Sequence, residues 1–209
     1  MFSVFENLPE DKKQKIIDAA IEEFALNGYR NGSTNEIIKK AEISKGILFH
    51  YFKNKKNLYL YILDYSIDYY SRFFYGYIEN LGNDDIFEII KEISIKKLEL
   101  FSGSPTMYEF IAKAFISYPE ELEEEIRKRY EDVLVNSFGQ ISSKLDMKRF
   151  RENIDKNKAM EVIMFTLDGL TNKYIKEYKR KENKIMEDAK ELISIFDEYL
   201  EILKWGVYS

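Results

Sequence analysis

Cysteine is absent from the 209 residues, and histidine occurs once, at His50. The first absence removes disulfides, thiolate zinc sites, iron–sulfur clusters and thiol nucleophiles together. The second leaves too few imidazoles for the usual metal sites, and no nucleophile motif accompanies His50, so the sequence points to no metal, no cofactor and no catalytic residue. Proline occurs three times, at 9, 105 and 119, and glycine nine times. Hairpin turns between alternating strands are missing: the Asn-Gly pairs at 27–28 and 31–32 both follow a helical pattern. The longest stretch without a charge covers eleven residues, 133–143, against the roughly 20 apolar residues a membrane helix needs, so no membrane partner is expected. The opening MFSVFENLPED has no basic flank ahead of an apolar run. A signal peptide is therefore not expected, and a cytoplasmic location is.

What is present is helical periodicity. Apolar residues recur at spacings of three and four over long segments, which predicts an all-α chain of about nine helices. The first runs over 9–27 with Pro9, Glu10 and Asp11 in its opening turn and Gly28 as a left-handed stop. Two short helices follow. One opens on Ser33-Thr34-Asn35-Glu36, the pattern of a capping box in which Ser33 and Glu36 satisfy each other's amides. The other is capped by Ser44 and covers 45–52. A long helix begins after Asn54 and carries aromatics toward Tyr77. Further helices are expected at 84–102, 105–117, 119–145, 155–181 and 184–205. The acidic and basic run over 120–129 reads as a solvated helix face.

Charge is uneven. Residues 1–60 hold 10 Lys+Arg against 8 Asp+Glu, and 33–60 alone hold six lysines against two glutamates, in a chain whose formal net charge is −5. A basic segment on an acidic body suits a local contact with a polyanion. That segment is the pair of short helices joined by Ala41-Glu42-Ile43, a helix-turn-helix pattern whose second helix would present its first turn to a major groove. Ser44 and Lys45 stand where amides and the helix dipole attract phosphate, and Gly46 admits close backbone approach. Leu48 and Phe52 point inward, while Phe49, His50 and Tyr51 follow on outward sides. Lys53, Lys55 and Lys56 crowd the start of the next helix.

The stretch 16–61 resembles the amino-terminal domain of the TetR family of transcriptional regulators. The residues that carry the likeness are IIDAAIEEFALNGY, then Ser33-Thr34, then ISKGILFHYFKNKKNLY. Three positions depart from the common pattern: Glu42 stands where glycine is frequent in the turn, Ile47 where threonine is frequent, and Phe49 where tyrosine is frequent. The resemblance implies double-stranded operator DNA as partner. Thr34, Ser44, Lys45, His50, Tyr51 and Lys55 would hold phosphates, Gly46 and Ile47 would lie nearest the bases, and Phe49 would line the same face. It implies a helix-turn-helix DNA-binding domain at 9–55 (the motif itself at 33–52) and a helical ligand-binding and dimerisation domain at 56–209.

For the second domain the resemblance implies a pocket for an unknown small-molecule effector. Phe73, Tyr77, Phe101, Tyr108, Phe115 and Phe138 are the candidate lining, which suits a mostly apolar ligand. It also implies a homodimer joined through the last two helices, with Ile163, Leu170, Tyr174, Leu192, Phe196 and Leu200 as candidate interface residues. The function that follows is a repressor released from its operator by that ligand. The alternative is a helical small-molecule or lipid-binding protein or enzyme in which the helix-turn-helix is incidental.

Overall fold

The computed structural model describes residues 2–80, 85–142, 147–181 and 189–207. They form ten α-helices: α1 (Ser3–Glu6), α2 (Glu10–Asn31), α3 (Thr34–Lys40), α4 (Lys45–Phe52), α5 (Lys55–Glu79), α6 (Ile86–Gly103), α7 (Pro105–Ile116), α8 (Glu123–Ser142), α9 (Lys156–Lys181) and α10 (Ala189–Val207). No strand occurs among the described residues, and none of their helices is long and apolar enough to cross a membrane. Nine of these helices answer to the periodicity. The addition is α1, a single turn, too short for any periodic signal. A 3-10 turn, Glu120–Leu122, precedes α8.

The chain divides into two compact units, one of residues 1–72 and 104–130, the other of residues 73–103 and 131–209. The division falls inside α5 and α8 and does not coincide with a cut between residues 55 and 56, because helices far along the chain complete the core under α2–α4.

In the first unit that core holds Ile16, Phe24, Ile37, Leu48, Phe52, Ile62, Phe110 and Ile126. Its centre is a triangle of rings from three helices. Phe24 of α2 meets Tyr59 of α5 at 5.0 Å between centroids, and Tyr59 meets Phe110 of α7 at 5.4 Å, both edge-on, the arrangement ring quadrupoles favour. Burial pushes the Tyr59 hydroxyl far above its ordinary titration range. Gly28 takes φ 66° and kinks α2, so the stop expected at this residue is a bend after which the helix resumes for one turn. At Gly32 a Cβ would fall 2.6 Å from the Gly28 carbonyl oxygen and 2.7 Å from the Phe24 ring. Only glycine lets the chain turn back against the core there.

The second unit closes over Ile86, Phe87, Phe150, Met160, Ile163 and Leu200. Buried Asp85 caps α6, accepting from the Phe87 amide at 2.9 Å and from Arg149 Nη1 at 3.1 Å. A buried carboxylate is tolerated because a charge and a helix start satisfy it together.

Candidate nucleic-acid interface

The turn between α3 and α4 is built by caps. Ser33 Oγ accepts from the Glu36 amide at 3.4 Å, one leg of the expected capping box. The other leg goes elsewhere: the Ser33 amide donates to Glu23 Oε1 of α2 at 2.9 Å, which also accepts from Asn27 Nδ2 at 2.9 Å. The bend at Gly28 brings Ser33 back over Glu23, which is 3% exposed. A desolvated carboxylate is a stronger acceptor than an exposed one.

At the far end of α3, the Ile43 amide donates to the Ile38 carbonyl at 3.1 Å and the Glu42 amide to the Lys39 carbonyl at 3.3 Å. This is a Schellman closure with Glu42 at the position that demands a left-handed backbone, and its φ is 55°. A side chain there costs about 1–2 kcal/mol, while glycine adds unfolded-state entropy worth about 0.5–1 kcal/mol. Glu42→Gly is therefore expected to raise stability by about 0.5 kcal/mol, read as a higher urea midpoint. Glu42→Gln keeps the strain and removes only the exposed pair with Lys15 at 3.1 Å, so it should shift the midpoint by little; a glycine midpoint below that of glutamine contradicts the strain argument.

Helix α4 is fixed from beneath and open above. Ser44 Oγ accepts from the Ile47 amide at 3.3 Å, and Leu48 and Phe52 are buried. Lys45, Gly46, Ile47 and His50 are exposed on one end and side, Ile47 to 41%. Phe49 is half-buried, as are Thr34 at the start of α3 and Tyr51, whose ring lies 5.5 Å from that of Phe5 in α1. Lys53, with φ 67°, ends α4 and stands exposed. Asn54 Oδ1 caps α5, accepting from the Asn57 amide at 2.8 Å.

Lys55 differs from the expectation. Its ammonium donates to the Arg30 carbonyl at the end of α2 at 3.0 Å and sits 5.0 Å from the Tyr29 ring centre. Burial lowers its pKa. It caps the last turn of α2, a role for cations at helix C-termini, while Lys45 and Lys53 are the exposed cations of α4 and its end.

The acidic run over 120–125 is largely the solvated face expected of it, with Glu120, Glu121, Glu123 and Glu124 exposed, and two of its carboxylates reach cations on other helices. Glu121 pairs with Arg30 at 3.0 Å, and Glu125 pairs with Lys56. Hydrogen bonds from Arg30 and Lys56, first among the causes, hold the two carboxyls below their usual pKa. Arg129 clasps Asp64 of α5 through Nε at 2.6 Å and Nη2 at 2.9 Å, and Lys113 donates to the Ala25 carbonyl of α2. Periodicity places a charge on a helix face but does not name its partner on another helix.

The candidate ligand lining falls into both units. Tyr108 and Phe115 belong to the first. Burial pushes the Tyr108 hydroxyl up to about 12, and Phe115 packs on Tyr130 at 5.4 Å. Phe73, which is exposed, and Tyr77, which donates to Glu92 Oε2 at 3.4 Å, belong to the second. The side chains of Phe101 and Phe138 lie outside the described residues.

Of the candidate interface residues, Ile163, Leu170 and Leu200 are buried within the chain's own fold and Phe196 is half-buried. The side chains of Tyr174 and Leu192 lie outside the described residues. Among the described side chains of α9 and α10, the exposed apolar residues are Phe165 at 71%, Ile202 at 70% and Trp205 at 78%, with Val162 and Tyr199 one turn away. Among the described residues no group of three or more His, Asp or Glu is placed to hold a metal.

Residues 16–62 match the family model for bacterial regulatory proteins of the tetR family, and residues 84–208 match the tetracyclin repressor-like C-terminal domain. The fatty acid metabolism regulator protein of Bacillus subtilis (strain 168) is 24% identical over 95% of this chain and 96% of its own length. The HTH-type transcriptional regulator QacR of Staphylococcus aureus is 50% identical over 52 residues, 25% of this chain and 28% of that protein. The crystal structure of the transcriptional regulator FadR from Bacillus subtilis in complex with stearoyl-CoA superposes with a TM-score of 0.56 at 21% identity, covering 88% of this chain and 96% of that one.

Proposed function

This chain belongs to the tetR family of bacterial regulatory proteins, and from that premise we propose that it is a dimeric, non-enzymatic, cytoplasmic repressor released from operator DNA by a ligand with a long apolar chain. Residues 9–55 read the DNA, and 56–209 bind the effector and join the protomers. One observation carries the DNA reading: α4 is capped by Ser44 and anchored by Leu48 and Phe52, leaving Lys45, Gly46, Ile47 and His50 presented together. A rigid helix with an exposed cationic first turn is what a major groove accepts. Lys45 and His50 hold phosphates with Ser44, Thr34 and Tyr51, and Ile47 meets a base edge such as a thymine methyl.

The dimer reading rests on Phe165, Ile202 and Trp205, whose exposed apolar surface a second copy would cover. Two heads then meet half-sites about 34–36 Å apart. The acyl-type effector is supported by the Bacillus subtilis relative, whose name assigns it to fatty acid metabolism and whose alignment covers nearly all of both chains. Within the first unit, the aromatic candidates Tyr108 and Phe115 suit such a chain.

The test is footprinting on the upstream region of the protein's own gene, followed by titration of the protected duplex. Lys45→Ala should weaken all sequences alike and flatten the salt slope by about one unit per subunit. Ile47→Ala should change preference between sequences. The reverse pattern overturns the assignment.

Stearoyl-CoA should reduce operator affinity about 5- to 150-fold, and operator should weaken stearoyl-CoA by the same factor. Equal affinities with and without ligand would make the chain a repressor indifferent to acyl-CoA.

A further inference from the structure

Residues 1–15 lie outside both family matches, yet α1 is fastened to three helices of the DNA-reading head. Phe5 is fully buried. Its ring lies 4.7 Å from Phe52 and 5.5 Å from Tyr51, both of α4, and 5.2 Å from Tyr61 of α5. Phe2 reinforces the seat, 5.6 Å from Phe52 and 5.2 Å from Tyr61. The polar side is closed by Glu6, whose Oε1 accepts from the Tyr61 hydroxyl at 2.5 Å and whose other oxygen lies 3.8 Å from Lys13 Nζ of α2.

We propose that Phe5 is a positioning residue for DNA binding: its ring, wedged between α4 and α5, holds Tyr51 with its hydroxyl on the DNA face. The inference rests on the DNA-binding reading above. Tyr51 is half-buried and follows His50, which is exposed, so its ring packs against α1 in a tilted contact while part of the residue stays open to solvent. Removing the Phe5 ring opens a void beside it, and interiors close voids by moving the nearest side chain into them. Phe52 and Tyr61 lie nearer, but Phe52 is already fully buried in the core and Tyr61 is tied to Glu6, so the half-buried Tyr51 ring is the one left to turn in, and its hydroxyl leaves the DNA face when it does.

The experiment is a double-mutant cycle on the footprinted operator duplex, with Phe5→Ala, Phe5→Leu, Tyr51→Phe and the combined changes. Every variant is assayed at a temperature where circular dichroism shows it folded. Phe5→Leu keeps most of the buried volume and serves if the alanine variant does not fold. Phe5→Ala and Tyr51→Phe should each weaken operator binding about 10- to 30-fold, as loss of one solvent-exposed hydrogen bond per protomer of a dimer gives. The combined change should weaken it no further, and the salt slope should stay unchanged. A second arm needs no DNA: 3-fluorotyrosine at position 51 should give a fluorine resonance that shifts and broadens in Phe5→Ala. Multiplicative effects, a fluorine signal indifferent to Phe5, or variants that lose thermal stability but bind operator as wild type each overturn the inference. A wild-type chain that binds no duplex overturns the DNA reading, and the inference falls with it.

Discussion

Phe165→Glu combined with Ile202→Glu is expected to yield a folded monomer with operator affinity reduced by at least a hundredfold. Both side chains are about 70% exposed, so neither change disturbs the protomer's core. Each side chain contributes roughly 1.5–3 kcal/mol when fully buried. A two-fold interface loses each of them twice, and the carboxylates repel across the axis. Sedimentation equilibrium at micromolar concentration reads the outcome, and a variant that still sediments as a dimer contradicts the interface. The choice of residues decides what the experiment means. Leu200 is 5% exposed and packs in the same cluster as Met160 and Ile163. An aspartate there buries an unpaired charge and reports on folding instead of association.

Glu23→Ala is expected to cost about 2–4 kcal/mol, because the Ser33 amide and the Asn27 side chain both lose a charged acceptor. At about 2–4 °C per kcal/mol for a chain of this length, the melting temperature should fall by roughly 4–16 °C. Glu23→Gln keeps an oxygen at the same place and should cost about 1 kcal/mol. Thermal unfolding of the two variants separates a hydrogen-bonding role from mere volume, and an alanine variant as stable as the glutamine variant removes the argument. Operator binding should fall with the alanine change even where the protein is folded, since Ser33 fixes where α3 begins.

Local chemistry made the head legible. The Ser44 cap, the Leu48 and Phe52 pair, the Gly28 conformation and the strain at Glu42 each depend on residues within a turn of one another, so the chain states them outright. What was illegible depends on distant partners. Helix α1 is one turn long, and Phe5 owes its burial to Phe52 and Tyr61. Lys55 has an outward-facing sequence context, and only the fold brings the Arg30 carbonyl within its reach. Glu121 and Glu125 are spaced like a solvated face, and their cations belong to other helices. In α9 and α10 the difficulty is of another kind. Apolar residues stand on more than one side of each helix, and period 3.6 finds a stripe without saying which stripe the protomer keeps. Ile163 and Leu200 went inside, while Phe165 and Ile202 stayed out.

The ring triangle of Phe24, Tyr59 and Phe110 has a consequence for synthesis. Its third member, with Leu122 and Ile126 of the same core, is encoded well after the family's DNA-reading segment ends at residue 62. At about 5–20 residues per second, the ribosome needs roughly 3–13 s to pass from residue 62 to residue 126. Through that interval Phe24 and Tyr59 stand without their closing helix, and the nascent head is expected to expose apolar surface of the kind chaperones bind. Its completion waits on a segment beyond residue 62. A lesion at Phe110 should therefore behave in a genetic screen as loss of repression, through a head that misses its folding window before any operator is met.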